Sequence, residues 1–263
     1  MNVELVEAGW VSVAPGILRR GEDLERPVRL PIPVYVLENG RERILVDTGP
    51  HPGAVADAER HYGRRAPLGP FGLGQERTLR ELVDLATVTK VVLTHLHFDH
   101  AGGLAAVPAT VPVYVQRREW EAGQDRAAVQ RNFLQPLDYA GRERVVAVDG
   151  EHDLLGDGSV VLVPTPGHTP GHQSVRVGGV VIGGDVAPLL ATLDDGRFPL
   201  FGDDLEAQAA SAGRLRALRD REGVAVLPGH DPSVLRAGRV LEGERGLGPG
   251  RARVLGPGRA GPP

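Results

Sequence analysis

The chain has 263 residues, 41% of them apolar, a formal net charge of −4 and no cysteine. That length buries a core without covalent staples, and the missing cysteine excludes disulfides, thiolate metal sites, iron–sulfur clusters and cysteine nucleophiles. The acidic balance offers no electrostatic footprint for nucleic acid, so no nucleic-acid partner is expected.

In chain order, MNVELVEAGW carries neither the basic region nor the apolar run of a secretory signal. No window approaches the roughly 18 apolar residues of a membrane span. The expectation is a cytoplasmic protein with no membrane partner. VYVLENGRERILVDTG predicts a β-hairpin, because Val34–Leu37 and Ile44–Val46 flank Asn39-Gly40. That dipeptide accepts the positive φ of a tight turn. Residues 61–75, with Pro67, Pro70 and several glycines, read as a loop. Leu79, Leu82, Val83 and Ala86 share one face of a predicted helix. VTKVVLTH and VPVYV predict buried strands, and QRREWEAGQDRAAVQRNFL predicts a helix. SVVLVPTP and VRVGGVVIGGD supply further strands. Asp203 with Glu206 resembles a capping box for a helix that Gly223 ends. VAVLPGH is a last short strand. From about Glu244 the chain turns to Gly, Pro, Arg and Ala, which predicts one domain over 1–243 and a disordered tail over 244–263. Strands interleaved with helices argue for an α/β layered fold.

Histidines and carboxylates concentrate in THLHFDHAGG at 94–103. If the strand runs on through His97, then His95 and His97 point to one side and grip one ion. Gly102-Gly103 would free the chain to turn, and Asp99 and His100 on that turn can serve a second ion. Zinc takes about four ligands, so others must come from elsewhere. SVVLVPTPGH delivers His168, VVIGGD delivers Asp185 and VAVLPGH delivers His230, each just past a β-rich run. Strand ends are where α/β folds present ligands. Taken singly, His168 and His230 read as loop histidines and Asp185 as a turn residue. Only the ensemble makes them ligands. His51, His61 and His152 lie in polar surroundings and read as solvated. GPFGLG at 69–74 lacks the Lys-Ser or Lys-Thr of a phosphate loop.

THLHFDH, TPGHTPGH, GGD and LPGH, in that order, resemble the metallo-β-lactamase superfamily over about Pro33 to Pro232, and LVDTG resembles its early Asp motif. The resemblance implies a four-layer αββα sandwich with metals at one edge of two sheets. It implies two divalent ions, zinc first, with cobalt, iron or manganese also accepted. His95, His97 and His168 would hold the first ion, and Asp99, His100 and His230 the second, with Asp185 bridging. Asp47 would orient a ligand histidine and His172 would support the site from behind. The implied chemistry is hydrolysis by a metal-bridging hydroxide, with Asp99 and Asp185 as the catalytic carboxylates. Without cysteine, the lactamase subclass that uses a thiolate ligand is excluded.

HLHFDHAGG, QRREWE, TPGHTPGHQS and GHDP look like the N-acyl-homoserine lactone lactonases. That implies a small lactone or ester as substrate, and quorum quenching. There is one departure. Those lactonases carry a tyrosine three residues past the bridging Asp, where this chain has Pro188. Phe71, Phe98, Phe133, Tyr139 and Pro188 are the candidate substrate-pocket residues, although Trp120 and Tyr139 also read as packing residues. The alternatives are a thioesterase of the hydroxyacylglutathione type, a related phosphotriesterase or ester hydrolase, and a metal-binding protein without turnover. A homodimer is compatible with the sequence.

Overall fold

The computed structural model describes residues 1–63, 71–199, 201–243 and 252–254. Its strands form two sheets. The larger contains β1 (Asn2–Val13), β2 (Val28–Glu38), β3 (Arg43–Val46), β4 (Gly72–Gly74), β5 (Lys90–Val92), β6 (Val113–Gln116) and β7 (Val145–Val148). The smaller contains β8 (His152–Asp153), β9 (Val160–Pro164), β10 (Gln173–Val177), β11 (Val180–Gly184) and β12 (Ala225–Pro228). Two late strands, β13 (Gly238–Gly243) and β14 (Ala252–Val254), extend the larger sheet. Its order is β14-β13-β1-β2-β3-β5-β6-β7, with β4 paired to β1, and the smaller runs β12-β11-β10-β9-β8.

Side-chain alternation explains the layers. On β2 and β3, Tyr35, Leu37, Ile44 and Val46 point inward and meet Leu162, Val175, Val177 and Ile182 of the smaller sheet. Their neighbours Val34, Val36 and Leu45 point the other way, onto Leu79, Val83, Leu96, Leu104 and Tyr139 of the helical layer. On β11, Val180 and Ile182 face the first sheet while Val181 faces Leu193, Ala212 and Leu215. Strands buried on both faces read as continuous apolar runs, which is why VVL and VVI carry no alternation of polarity. The result is the four-layer αββα arrangement that the resemblance implies.

Several elements differ from expectation. β1 was not foreseen, although Val3, Leu5, Val11 and Val13 are buried in alternation. Its partner β2 lies beyond an intervening stretch with no tight-turn signal. The hairpin of β2 and β3 forms, but through the longer loop 39–42, where the Asn39 side chain accepts from the Arg41 and Glu42 amides. The helix expected over 79–86 is only Leu79–Leu82, followed by a short 3₁₀ turn at Leu85–Thr87 that Asp84 caps. The long helix expected over 116–134 breaks at Asp125, whose side chain caps the second segment through the Ala128 amide. Asp204, not Asp203, caps Leu205–Glu222, and Gly223 ends it at φ 67°. In the predicted tail, Ala252–Val254 pairs with β13, and the rest of 244–263 lies outside the described residues. So do the first two residues of GPFGLG, while Gly72–Gly74 form β4 inside the stretch expected to be a loop. No helix among the described residues is long and apolar enough to cross a membrane.

Candidate metal centre

β3, β5, β9, β11 and β12 all end toward one rim, and the loops that follow them converge there. β5 stops at Val92, so His95 and His97 are not strand neighbours as expected. They sit on the loop after β5, and His97 opens the short helix Phe98–Ala101 that carries Asp99 and His100. Gly102-Gly103 also has a different reason from the expected one. Gly102 is helical (φ −58°), and a Cβ on Gly103 would lie 2.1 Å from the Thr48 carbonyl oxygen. Glycine is needed because the loop carrying Asp47 packs directly on this backbone.

The ligating atoms fall into groups within 4.8 Å of one another: His95, His97 and His168, then Asp99, His100 and His230. His95 Nε2 lies 2.9 Å and His168 Nε2 3.0 Å from His97 Nδ1. Asp185 spans the two groups. Its Oδ2 is 3.5 Å from His168 Nε2, its Oδ1 is 3.5 Å from His100 Nε2, and both oxygens are 3.2 Å from His230 Nε2. Asp99 Oδ2 is 3.5 Å from His230 Nε2 and 3.8 Å from His100 Nε2. Every one of these side chains is nearly excluded from solvent.

For four of the five rings, the far side fixes the protons. His97 Nε2 faces the Asn132 carbonyl at 2.8 Å and must donate to it. Thr94 Oγ1 donates to Asp47 Oδ2 at 2.8 Å, so at 3.0 Å it accepts from His95 Nδ1. His95 Nε2 and His97 Nδ1 therefore present bare lone pairs to each other, a repulsive contact unless a cation lies between. His230 Nδ1 donates to the Pro31 carbonyl at 2.9 Å, and His100 Nδ1 donates to Asp47 Oδ2 at 2.8 Å. Such partners set the tautomer that leaves the inner nitrogen free for a metal. His100 Nε2 and Asp185 Oδ1 are buried with no hydrogen-bond partner among the described residues. The donor set, nitrogen-rich on one side and mixed on the other, fits two divalent cations sharing one carboxylate.

Electrostatics agree. Burial holds His95 and His168 well below the usual imidazole range, in the neutral form that ligates. Burial opposes a charge on His100, yet Asp99, Asp47 and Asp185 outweigh it and lift that ring to about 10. Burial likewise works against ionised Asp185, but the His230 and His100 rings hold it well below the carboxylate range. A metal ion here displaces protons as it binds.

Asp47 takes an unusual backbone, φ 61°, to aim its carboxylate at Thr94 and His100. His172 is no ligand. Its Nε2 accepts from the Asp185 amide at 3.0 Å and its Nδ1 meets Thr165 Oγ1 at 2.9 Å. Burial keeps it neutral, down to about 3, so it goes on accepting at any working pH. Pro188 contributes its carbonyl, which accepts from the His230 amide at 2.8 Å.

The aromatic candidates divide. Phe71 and Phe98 stack edge-on at 6.2 Å, and Phe201, which the sequence did not flag, closes the group at 5.9 Å from both Phe71 and the His168 ring. Tyr139 is no pocket wall. It is buried beside Trp120, and its hydroxyl donates to the Gly123 carbonyl. Phe133 is largely exposed at φ 57° and belongs to no core cluster, so it does not join that wall. His51 and His61 are stacked at 4.0 Å rather than solvated, and His152 stacks on Tyr114.

Against the same apolar group, Tyr62 donates to Asp138, which is 2% exposed, at 2.8 and 3.0 Å. Burial lifts the Asp138 carboxyl from 3.8 to about 7. Its folded value exceeds its unfolded one, so folding loses stability as pH climbs from about 4 to about 7 and loses no more above that. Asp138→Asn keeps the acceptor for Tyr62 and removes the ionisation. The variant should unfold on the order of 5 °C higher than the parent at pH 8, with the gap closing toward pH 5, in thermal scans across that range.

The comparisons agree with this geometry. A model of the Metallo-beta-lactamase superfamily matches residues 27–230. An N-acyl homoserine lactonase of a Bacillus species is 32% identical over 227 residues, covering 81% of this chain and 86% of its own. Another, from Azorhizobium caulinodans, is 29% identical over 228 residues, covering 77% and 82%. A solved N-acyl homoserine lactone hydrolase, with the product N-hexanoyl-L-homoserine bound at its catalytic metal center, superposes with a TM-score of 0.76 at 25% identity, covering 88% of this chain and 94% of that one. With two sheets carrying seven buried His and Asp donors at one rim, and a family match across most of its length, the chain belongs to the metallo-β-lactamase superfamily.

Proposed function

We propose that this protein is a binuclear metal-dependent hydrolase that opens N-acyl homoserine lactones or closely similar small lactones. The observation that carries the proposal is Asp185, whose carboxylate lies between His168 of one donor group and His100 and His230 of the other, at the rim where Phe98 and Phe201 stand. The substrate class comes from the relatives, which share that activity by name over most of this chain. Zinc is the favoured metal, since imidazole and carboxylate in fours suit it. Held by His95, His97, His168, Asp99, His100, His230 and Asp185, two divalent ions would supply a hydroxide nucleophile near neutral pH and a Lewis acid for the carbonyl.

The chain's own residues do the rest. Asp47, Asn132 and Pro31 hold three ligand rings in the tautomer that leaves the inner nitrogen bare. His172 holds the Asp185 backbone. Phe71, Phe98 and Phe201 give an acyl chain an apolar wall and exclude water from it. Ring opening forms a carbon–oxygen bond at the carbonyl, breaks the ring ester bond and leaves an alkoxide. Asp99 is the carboxylate that takes the proton from the newly added hydroxyl and passes it to that alkoxide oxygen, leaving a carboxylate and an alcohol. A phenol cannot come from position 188, where proline uses its carbonyl to hold His230.

The test is turnover by purified, metal-loaded protein on a panel of lactones, glutathione thioesters, β-lactams and phosphotriesters. Acyl homoserine lactones should be opened fastest. Intact lactones beside a cleaved thioester would overturn the assignment.

A further inference from the structure

Glu119 is a carboxylate the chemistry above does not use. It sits on the helix Arg117–Gln124 and is fully buried (0% exposed). No cation pairs with it among the described residues. Instead its Oε1 accepts from the Leu96 amide at 2.9 Å and its Oε2 from the Gly171 amide at 2.8 Å. Leu96 lies between the ligands His95 and His97. Gly171 lies on the turn between the ligand His168 and His172. One carboxylate therefore ties together the two loops that supply the three histidines of the first group.

The surrounding contacts leave the tie little slack. A Cβ on Gly171 would lie 2.1 Å from the Glu119 amide nitrogen, so the second loop rests on the helix backbone itself. The Leu96 side chain, fully buried, seats against Gly123 one turn further on. A buried carboxylate without a cation is costly to keep. A neutral residue of similar size would fill the space, but only a carboxylate accepts from both amides with equivalent oxygens.

We propose that Glu119 is a positioning residue. By holding the Leu96 and Gly171 amides together it fixes the spacing of His95, His97 and His168, and so sets the affinity of the first metal position while leaving the second untouched. This rests on the binuclear reading of the site. Glu119→Gln keeps the length but turns an amide NH₂ toward one of the two N–H groups.

The test follows zinc release from the loaded protein to a chromogenic chelator, with the first position assigned by the His97→Ala protein. Amide hydrogen exchange is read on the same samples, with and without zinc. In Glu119→Gln, zinc at the first position should bind about 10–100-fold more weakly, as when a partner of a ligand is removed, and zinc at the second should be unchanged. The Leu96 and Gly171 amides should exchange at least about tenfold faster, even in metal-free protein. kcat should fall with KM little altered. Glu119→Asp, which keeps the charge but cannot span both loops, should show the same split if the glutamine variant does not fold. Equal weakening of both positions, or wild-type release and exchange, would overturn the proposal. Parent protein that binds no zinc would instead overturn the binuclear reading, and the exchange rates would still report the tie.

Discussion

Asp185→Asn should lower lactone turnover by about a thousandfold and reduce bound metal from two ions per chain to one or fewer. The Asp185 carboxylate lies between His168 on one side and His100 and His230 on the other, with both oxygens 3.2 Å from His230 Nε2. Asparagine keeps a single acceptor oxygen, and its NH₂ is no ligand, so one donor group loses a member. The lost charge stabilisation of about 4 kcal/mol corresponds to about three decades in rate. The backbone contact from His172 and the contacts of Gln208 with the 185–186 carbonyls do not depend on the carboxylate, so the fold should survive. Metal analysis and ring-opening kinetics on the same preparation check this. Two ions and parental turnover in the variant would remove Asp185 from its bridging role.

Stripping the metals should cost the protein much of its thermal stability. Seven buried donors face one another, and two bare nitrogens stand 2.9 Å apart. Ions present at a thousand times their dissociation constant stabilise the fold by about 4 kcal/mol, or roughly 8–16 °C in a domain of this size. The loss should reverse when zinc is restored. It should also shrink at acid pH. The ring of His100, lifted to about 10, and that of His230, also raised, must give up protons to bind metal, so falling pH favours the metal-free form. Thermal scans with chelator at pH 6 and pH 8 measure both effects. Identical melting with and without chelator would mean that the donors hold no ion.

The seven donors that the structure gathers were legible in the sequence because metal sites repeat residue types at strand ends, and the motifs preserve that order. Asp47 and His172 were legible for the same reason. The geometry that delivers His95 and His97 was not. Side-chain alternation along a strand suggested it, whereas β5 ends three residues earlier and the loop supplies the direction. Glu119 carried no signal, because a single acid on a short, charged and half-exposed helix makes no pattern. The carbonyls of Asn132 and Pro31 carry no side-chain signal, so nothing short of the fold places them. Phe201 was invisible because its partners Phe71 and His168 are distant in sequence. Tyr139 read both ways: aromatic character marks a wall and a core alike, and burial sends this one to the core. β1 went unread because its pairing with β2 has no tight turn to announce it.

The most direct measurement is the rate of N-hexanoyl homoserine lactone opening plotted against zinc bound per chain. The rate should be negligible in chelated protein and should climb until two ions are bound, with no further gain beyond. A rate that persists after chelation, or that is complete at a single ion, would contradict a binuclear centre bridged by Asp185.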